Sequence, residues 1–262
     1  MRGLSGVDLR RVHEHVAFMA NRKLLSYSIA IIIANIISAL FLIFFFYTGP
    51  ASSIWSSIPL GFSIFIYKIL ISIQASRVGR ELNTGEVQIY LAHTLTRTEY
   101  LLSALLVVGI TPALVLVATY LTFLAIAAPL SYDVGSQLPY LFAELMMHAT
   151  IVMALAIGGH ENAASIVGVM LALFIGAIMG IPLFLLILFG SNKPAFYVAY
   201  AATLLVAMAT PLTYRFTYST IISSPLHSPA TLPDPLLVLL LSTAAFIILW
   251  MVFFIRFKRR DL

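Results

Sequence analysis

Long apolar runs dominate this chain, and they restrict it to a helical membrane fold. Six candidate spans can be drawn, at 24–47, 54–74, 100–130, 139–158, 163–189 and 235–257. A helix rises about 1.5 Å per residue, so about 20 apolar residues cross the hydrocarbon of a bilayer. Backbone groups find no water there, so only helices and closed barrels can span it, and runs this long favour helices. We therefore expect an all-α integral membrane protein, a six-helix bundle that forms one transmembrane domain over residues 1–262.

The scarcity of charge agrees with this fold. The chain is 61% apolar and 10% charged, whereas soluble domains carry about 25% charged residues. Its basic residues lie in short segments beside apolar spans, which indicates membrane topology rather than nucleic-acid binding. It has no cysteine, which excludes disulfides and thiolate metal sites.

The basic residues also favour six spans over seven, the ambiguous segment being 195–212. With six spans and both termini cytoplasmic, 12 basic residues lie inside and two, Lys193 and Arg215, lie outside. The inside set is Arg2, Arg10, Arg11, Arg22, Lys23, Arg77, Arg80, Arg97, Arg256, Lys258, Arg259 and Arg260. A seventh span changes the tally to nine inside and five outside, so the positive-inside rule favours six. The proline-rich stretch 190–234 is then an external or re-entrant region of a multi-pass cell-membrane protein.

Residues 1–23 carry five Lys or Arg and no continuous apolar core, so no cleavable signal peptide is expected. Within them Leu9, Val12, Val16 and Met19 recur at helical spacing. This pattern predicts an amphipathic helix in the lipid headgroup plane. A disordered basic tail is the alternative.

The sequence carries no motif for catalysis or nucleotide binding. It has no G-x-x-x-x-G-K-[ST] phosphate loop and no H-E-x-x-H zinc motif. A membrane haem held by two histidines needs both at suitable depths, and His148 alone of the six histidines falls within a span. We therefore expect no enzyme, no metal and no cofactor in this chain.

Three ionisable residues fall inside spans, namely Lys68, Glu144 and His148. Such residues are rare in membranes and mark candidate functional sites. Glu144 and His148 are four apart and share a helix face. They could form a satisfied polar pair between packed helices, line a substrate path, or relay protons. Lys68 lies about 9 Å from the cytoplasmic end of its span. We expect it to snorkel to the interface and not to pair with Glu144, which lies nearer the opposite surface.

A ladder of small residues runs along the fifth span, with a spacing of four. Its members are Ala164, Gly168, Ala172, Gly176 and Gly180. Small residues let helix backbones approach closely. The ladder predicts close packing against another helix, within the chain or across a dimer; a helix that slides during gating is the alternative.

Between the second and third spans lies a polar island, residues 77–100. Asn83 is a candidate capping residue at a helix start, with Glu86 three positions after it. Thr96 and Glu99 form a capping box before the third span. Val87, Tyr90 and Leu91 make an apolar face at helical spacing. We expect a short amphipathic helix over about 84–92, which needs packing from lipid or from a partner to be stable.

The island resembles the corresponding loop of type-2 ABC exporter membrane subunits. The shared pattern is R-E-x-x-x-G-E-x-x-x-x-L-x-x-T-L-T-R-T-E-Y directly after a second span. The matching positions are Glu81, Gly85, Glu86, Leu91, Arg97, Glu99 and Tyr100. Thr94-Leu95-Thr96-Arg97 stands where that family often has a proline. The layout is also similar, with an interfacial N-terminal helix, six spans and a re-entrant region before the last.

The resemblance implies a permease that exports its substrate as a homo- or heterodimer, with a second copy or a paralogue. The loop at 75–99 would hold a coupling helix seated in a groove of a separate ATP-binding subunit, which would bind ATP and Mg. The residues that would couple to it are Glu81, Gly85, Glu86, Tyr90, Leu91, Arg97 and Glu99. The loop at 160–162 would make a lesser contact, and membrane lipid would surround the bundle.

Two other functions stay open at this point. One is a non-transporting structural subunit of a respiratory or secretion complex. The other is a membrane-embedded enzyme that uses Glu144 and His148.

Overall fold

The computed structural model describes residues 8–19, isolated helical residues between 26 and 40, and residues 52–93, 95–127, 136–189, 194–222 and 232–259. The regular elements in these ranges are helices, which confirms the expected all-α class. They are α1 Leu9–Met19, α2 Ser52–Thr84, α3 Glu86–His93, α4 Arg97–Ala104, a π-helical segment Leu105–Ile110, α5 Thr111–Ala127, α6 Leu138–Ile157, α7 Glu161–Phe189, α8 Pro194–Ala209, α9 Pro211–Ile222 and α10 Pro235–Arg259. The predicted first span, 24–47, lies largely outside the described residues.

Three stretches of helix are long and apolar enough to cross a membrane: Arg97–Thr122, Leu138–Ile157 and Pro235–Phe257. They coincide with the predicted third, fourth and last spans. Glu161–Phe174 and Pro194–Ala209 are shorter apolar helices. These stretches support a membrane protein, and the count of six crossings stays a prediction.

Helix α1 forms over the predicted amphipathic segment. Val12 is buried and Val16 packs against the main apolar core, while Leu9 and Phe18 stay exposed. Part of the predicted apolar face therefore packs onto the bundle rather than being free for lipid.

Helix α2 continues ten residues beyond the predicted end of the second span at Gln74. It runs unbroken for 33 residues, about 50 Å at the usual rise. The reason is a stripe of buried residues, Ile71, Ala75, Val78 and Leu82, which recurs at helical spacing among the charges of the island. The first part of the polar island is thus helix.

The third predicted span contains a π-helical segment, Leu105–Ile110, just before Pro112. The Thr111 N–H bonds to the Leu106 carbonyl, five residues back. Proline has no N–H to offer the carbonyl four residues before it, so this stretch is wound more widely. Single π turns inside helices often lie at functional positions.

Helices α2 and α6 run parallel and in constant register. Lys68 meets Glu144, Ser72 meets His148, and Asn83 meets Gly159, each pair separated by 76 residues. The two backbones also approach closely at Gly79, where an added Cβ would lie 3.1 Å from the Ala156 carbonyl oxygen.

Helix α7 packs against this pair through the small-residue ladder. Ala164 and Ala172 are buried, and a Cβ on Gly168 would collide with the Ser72 side chain. The predicted packing within the chain is therefore seen at these three positions. Gly176 and Gly180 lie in α7, but their surroundings fall outside the description.

The ambiguous segment 195–212 forms helix α8 and the start of helix α9. The single residue Thr210 separates them, and Pro211 opens α9, where its missing N–H costs nothing. The segment is therefore broken into two helices rather than forming one straight helix. Ser242 of α10 donates to the Met208 carbonyl at 2.8 Å, which satisfies one acceptor at the end of α8.

We predict that Gly168→Ala lowers the thermal stability of the purified protein. The new methyl carbon would lie 1.9 Å from the Ser72 hydroxyl oxygen, and overpacking of this kind costs about 1–3 kcal/mol. Gly61→Ala is the matched control, because nothing lies within 4 Å of a Cβ built there. Melting curves in detergent should show a lower midpoint for Gly168→Ala alone. Equal midpoints would mean that α2 and α7 do not pack as described.

Candidate functional site

Residues 77–93 and 95–100 hold a turn between two helices, and we call this region the corner throughout. Gly85 links α2 to α3 with a φ of 76°, a left-handed conformation that glycine adopts without strain. The Gln88 N–H then bonds to the Gly85 carbonyl at 2.9 Å as α3 begins. The short helix expected over 84–92 is present as Glu86–His93. Two helices therefore meet at Gly85 with no flexible linker.

The predicted capping box is present at the start of α4. The Glu99 N–H donates to Thr96 Oγ1 at 3.3 Å, and the Thr96 N–H donates to Glu99 Oε2 at 2.7 Å. The other carboxylate oxygen, Oε1, accepts the Asp8 N–H at 2.7 Å. One buried carboxylate thus holds the first turns of both α1 and α4. The contact with Asp8 was not predicted, because 91 residues separate the two positions.

Glu81 is also turned into the protein. It is 3% exposed, accepts the Tyr100 hydroxyl at 3.0 Å, and lies 3.5 Å from the Arg77 guanidinium. Burial raises the pKa of the Glu81 carboxyl, and the Tyr100 hydroxyl and Arg77 partly oppose this rise. The Tyr100 ring stacks on Phe257 of α10, with centroids 5.8 Å apart. Glu81 and Tyr100 therefore brace the corner against the bundle.

The outer surface of the corner is exposed. Val87 points inward and is fully buried, whereas Glu86 and Gln88 are exposed and Ile89 is 62% exposed. Leu91 is half-buried. Tyr90 lies in α3, but its side chain is outside the description, so the predicted apolar face is described at Val87 and Leu91 alone. Arg97, at the start of α4, is half-buried.

A second loop lies beside the corner. The Asn83 amide donates to the Gly159 carbonyl at 3.3 Å and to Glu161 Oε2 at 3.0 Å. Gly159 has a φ of 89°, so this tight turn also uses the left-handed conformation that glycine allows. Residues 158–161 are thus fixed to the end of α2.

A cleft of about 470 Å³ opens between α1, α2, α3 and α7 at this end of the bundle. Phe18, Ile73, Arg77, Arg80, Glu81 and Glu86 line most of it. The wall of the cleft therefore contains apolar, basic and acidic side chains.

Away from the corner, Lys68 and Glu144 form a buried ion pair, with 2.5 Å between Lys68 Nζ and Glu144 Oε1. Their side chains are 3% and 1% exposed. The expectation that Lys68 snorkels and does not pair with Glu144 is therefore wrong. That expectation assumed that the second and fourth spans start at the same depth in the membrane. Glu144 follows the start of α6 by six residues and Lys68 follows the start of α2 by 16, so α2 extends about ten residues further at that end.

Glu144 also binds α9. The Thr213 N–H donates to Glu144 Oε2 at 2.9 Å, and the Thr213 hydroxyl lies 3.2 Å from each carboxylate oxygen. Sequence reasoning missed Thr213. The available signal was its place in the first turn after Pro211, where an N–H group needs an acceptor.

His148 completes this buried polar cluster from the neighbouring turn of α6. Its Nε2 lies 3.2 Å from both the Lys68 carbonyl oxygen and Ser72 Oγ. The Ser72 hydroxyl donates to that same carbonyl at 2.7 Å, so its oxygen is left to accept. His148 Nε2 therefore carries the proton and donates to both oxygens. The first of the three alternatives for Glu144 and His148, satisfied polar groups between helices, describes this geometry best.

Within the ranges that the structure describes, no group of three His, Asp or Glu side chains could hold a metal ion.

We predict that Glu99→Ala destabilises the start of both α1 and α4, because the Asp8 and Thr96 N–H groups lose their acceptor. Loss of one helix cap typically costs about 0.5–2 kcal/mol. The unfolding midpoint should fall, and trypsin should cut faster after Arg10 and Arg11, both exposed on α1. Glu14→Ala is the control, because Glu14 pairs only with exposed Arg10. Identical cleavage rates in the two variants would contradict the double cap.

No protein-family model matches the chain, and neither a curated protein nor a solved structure does.

Proposed function

We propose that the chain is the membrane-embedded permease subunit of an ATP-driven exporter of the type-2 ABC class. A separate ATP-binding subunit would dock on the corner. The observation that carries this proposal is the corner itself: a short helix with an exposed outer surface, joined by the single residue Gly85 to the 33-residue helix α2. Such a feature suits the transfer of motion from a soluble partner into a bundle.

The internal bracing of the corner supports that use. Val87, Glu81, Glu99 and Tyr100 are all buried, and α3 packs against α2, so a shift of α3 would disturb α2. Glu86, Gln88 and Ile89 remain exposed for a partner. Exposed charge pairs contribute only about 0–1 kcal/mol, so Ile89 and the shape of α3 should dominate affinity.

The geometry also divides the residues first assigned to coupling into internal contacts, a turn and candidates for contact with the partner. Glu81 and Glu99 are internal braces rather than contacts, and Gly85 is the turn. Glu86, Leu91 and Arg97 remain candidates for contact, and the exposed Ile89 joins them. Tyr90 keeps its proposed role on sequence grounds.

The rest of the proposal concerns the arrangement in the membrane. The chain would cross the cell membrane six times with both termini in the cytoplasm, and residues 190–234 would form the external or re-entrant region. It would act as a dimer with a second copy or a paralogue. The sequence has no phosphate loop, so ATP and Mg would be bound by the partner.

A structural subunit of a membrane complex is the second candidate. It is favoured by the buried cluster around Glu144, in which each oxygen of the carboxylate has a donor within the chain. A scaffold needs such closed networks, whereas a substrate path needs open polar groups.

We predict that Ile89→Asp abolishes co-purification of an ATP-binding subunit while the bundle stays folded. The tagged chain would be isolated from its native membranes, and bound proteins identified by mass spectrometry. The expected partner carries a G-x-x-x-x-G-K-[ST] sequence. Leu236→Asp is the matched control, because it adds the same charge at an exposed apolar position in the first turn of α10. That turn lies about 32 Å along the helix from Phe257, which stacks on Tyr100 of the corner.

Two results would contradict the proposal. One is the absence of any phosphate-loop protein from the unaltered sample. The other is equal recovery of that protein with Ile89→Asp and with Leu236→Asp.

A further inference from the structure

The buried carboxylate of Glu144 connects three helices. It binds the Lys68 ammonium from α2 and the Thr213 N–H and hydroxyl from α9, and it belongs to α6. We propose that Lys68 and Glu144 form a latch that positions the start of α9 according to the position of α2. This inference deepens the proposed function, and only the cause of α2 movement rests on that function.

The start of α9 depends on an acceptor from outside. Pro211 has no N–H, and the first bond within the helix runs from the Tyr214 N–H to the Thr210 carbonyl, at 2.9 Å. The Thr213 N–H therefore has no partner inside α9 and uses Glu144 instead. A carboxylate at this end also interacts favourably with the helix dipole.

Lys68 keeps that acceptor in place. Because Lys68 Nζ contacts Oε1, Oε2 faces Thr213. Moving Lys68 would therefore move or weaken the acceptor that α9 uses.

Two further contacts of α9 are made to residues outside α2. Arg215 donates to the Ser136 carbonyl and lies over the Tyr140 ring, 4.7 Å from its centroid. The Tyr214 hydroxyl donates to the Pro233 carbonyl at 2.6 Å. Glu144 is the acceptor through which Lys68 reaches α9, so the latch is the contact that can report the position of α2.

Helix α2 links the latch to the corner. Lys68 lies 16 residues before Thr84 on one unbroken helix, about 24 Å at the usual rise. Displacement of α3 would be passed along α2 to Lys68. Release of Glu144 would then free the start of α9.

Electron spin labels can test the latch directly, because the chain has no native cysteine. One label pair, at Ile73→Cys and Ser219→Cys, measures α9 against α2. The control pair, at Ile73→Cys and Ile181→Cys, measures α7 against α2. Ile73, Ser219 and Ile181 are all exposed.

Two double variants separate a latch from a merely stabilising ion pair. Lys68→Glu with Glu144→Lys restores a charge pair between α2 and α6 but puts no acceptor opposite Thr213. Lys68→Met with Glu144→Leu replaces the pair with apolar side chains, a change that often leaves stability intact. Lys68→Arg keeps the pair and serves as the conservative variant.

We expect both double variants to broaden the distance distribution between positions 73 and 219 and to shift it by several ångströms. The pair at 73 and 181 should stay unchanged, and Lys68→Arg should match the unaltered chain at both pairs. If the distribution for 73 and 219 is unaltered in both double variants, the latch is wrong and the ion pair serves stability alone. The experiment needs no ATP-binding subunit, so its failure is distinct from failure of the co-purification test.

Discussion

The ion pair between Lys68 and Glu144 determines how the rest of the bundle fits together. Two buried charges are tolerated in an apolar interior only when they meet in good geometry, and breaking such a pair costs about 3–5 kcal/mol. Their contact therefore sets the relative position of α2 and α6. That register places Ser72 against His148 and Gly168, and it brings Asn83 to the turn at Gly159. A shift of one turn along α2 would separate all of these contacts together.

Carboxylates act in this protein mainly as anchors for helix starts. Glu99 holds the first turns of α1 and α4, and Glu144 holds the first turn of α9. Both act on N–H groups that a helix cannot satisfy itself, and both are nearly fully buried. The fold thus uses two of its 10 acidic residues to fix the starts of helices, and the proposed transfer of motion would need such fixed contacts.

Some local features were predictable from the sequence, and contacts between distant residues were not. The capping box at Thr96 and Glu99 depends on a spacing of three, which is visible in the chain itself. The turn at Gly85 was not predicted, because the expected helix over 84–92 included that residue, and Asn83, expected to cap that helix, lies within α2 instead. The pairing of Lys68 with Glu144 depends on how far α2 extends beyond the start of α6, which composition does not encode. Glu99 likewise looked available to a partner, because its contact with Asp8 arises only when α1 folds back onto α4.

The most direct test of the coupling role is a photo-crosslinking amino acid placed at position 89 in living cells. The account predicts a covalent adduct with a protein that carries a phosphate-loop sequence, and no such adduct when the same group stands at position 236, in the first turn of α10. Crosslinks to lipid alone at position 89 would contradict it, and would make α3 a helix that rests on the membrane rather than one that receives a partner.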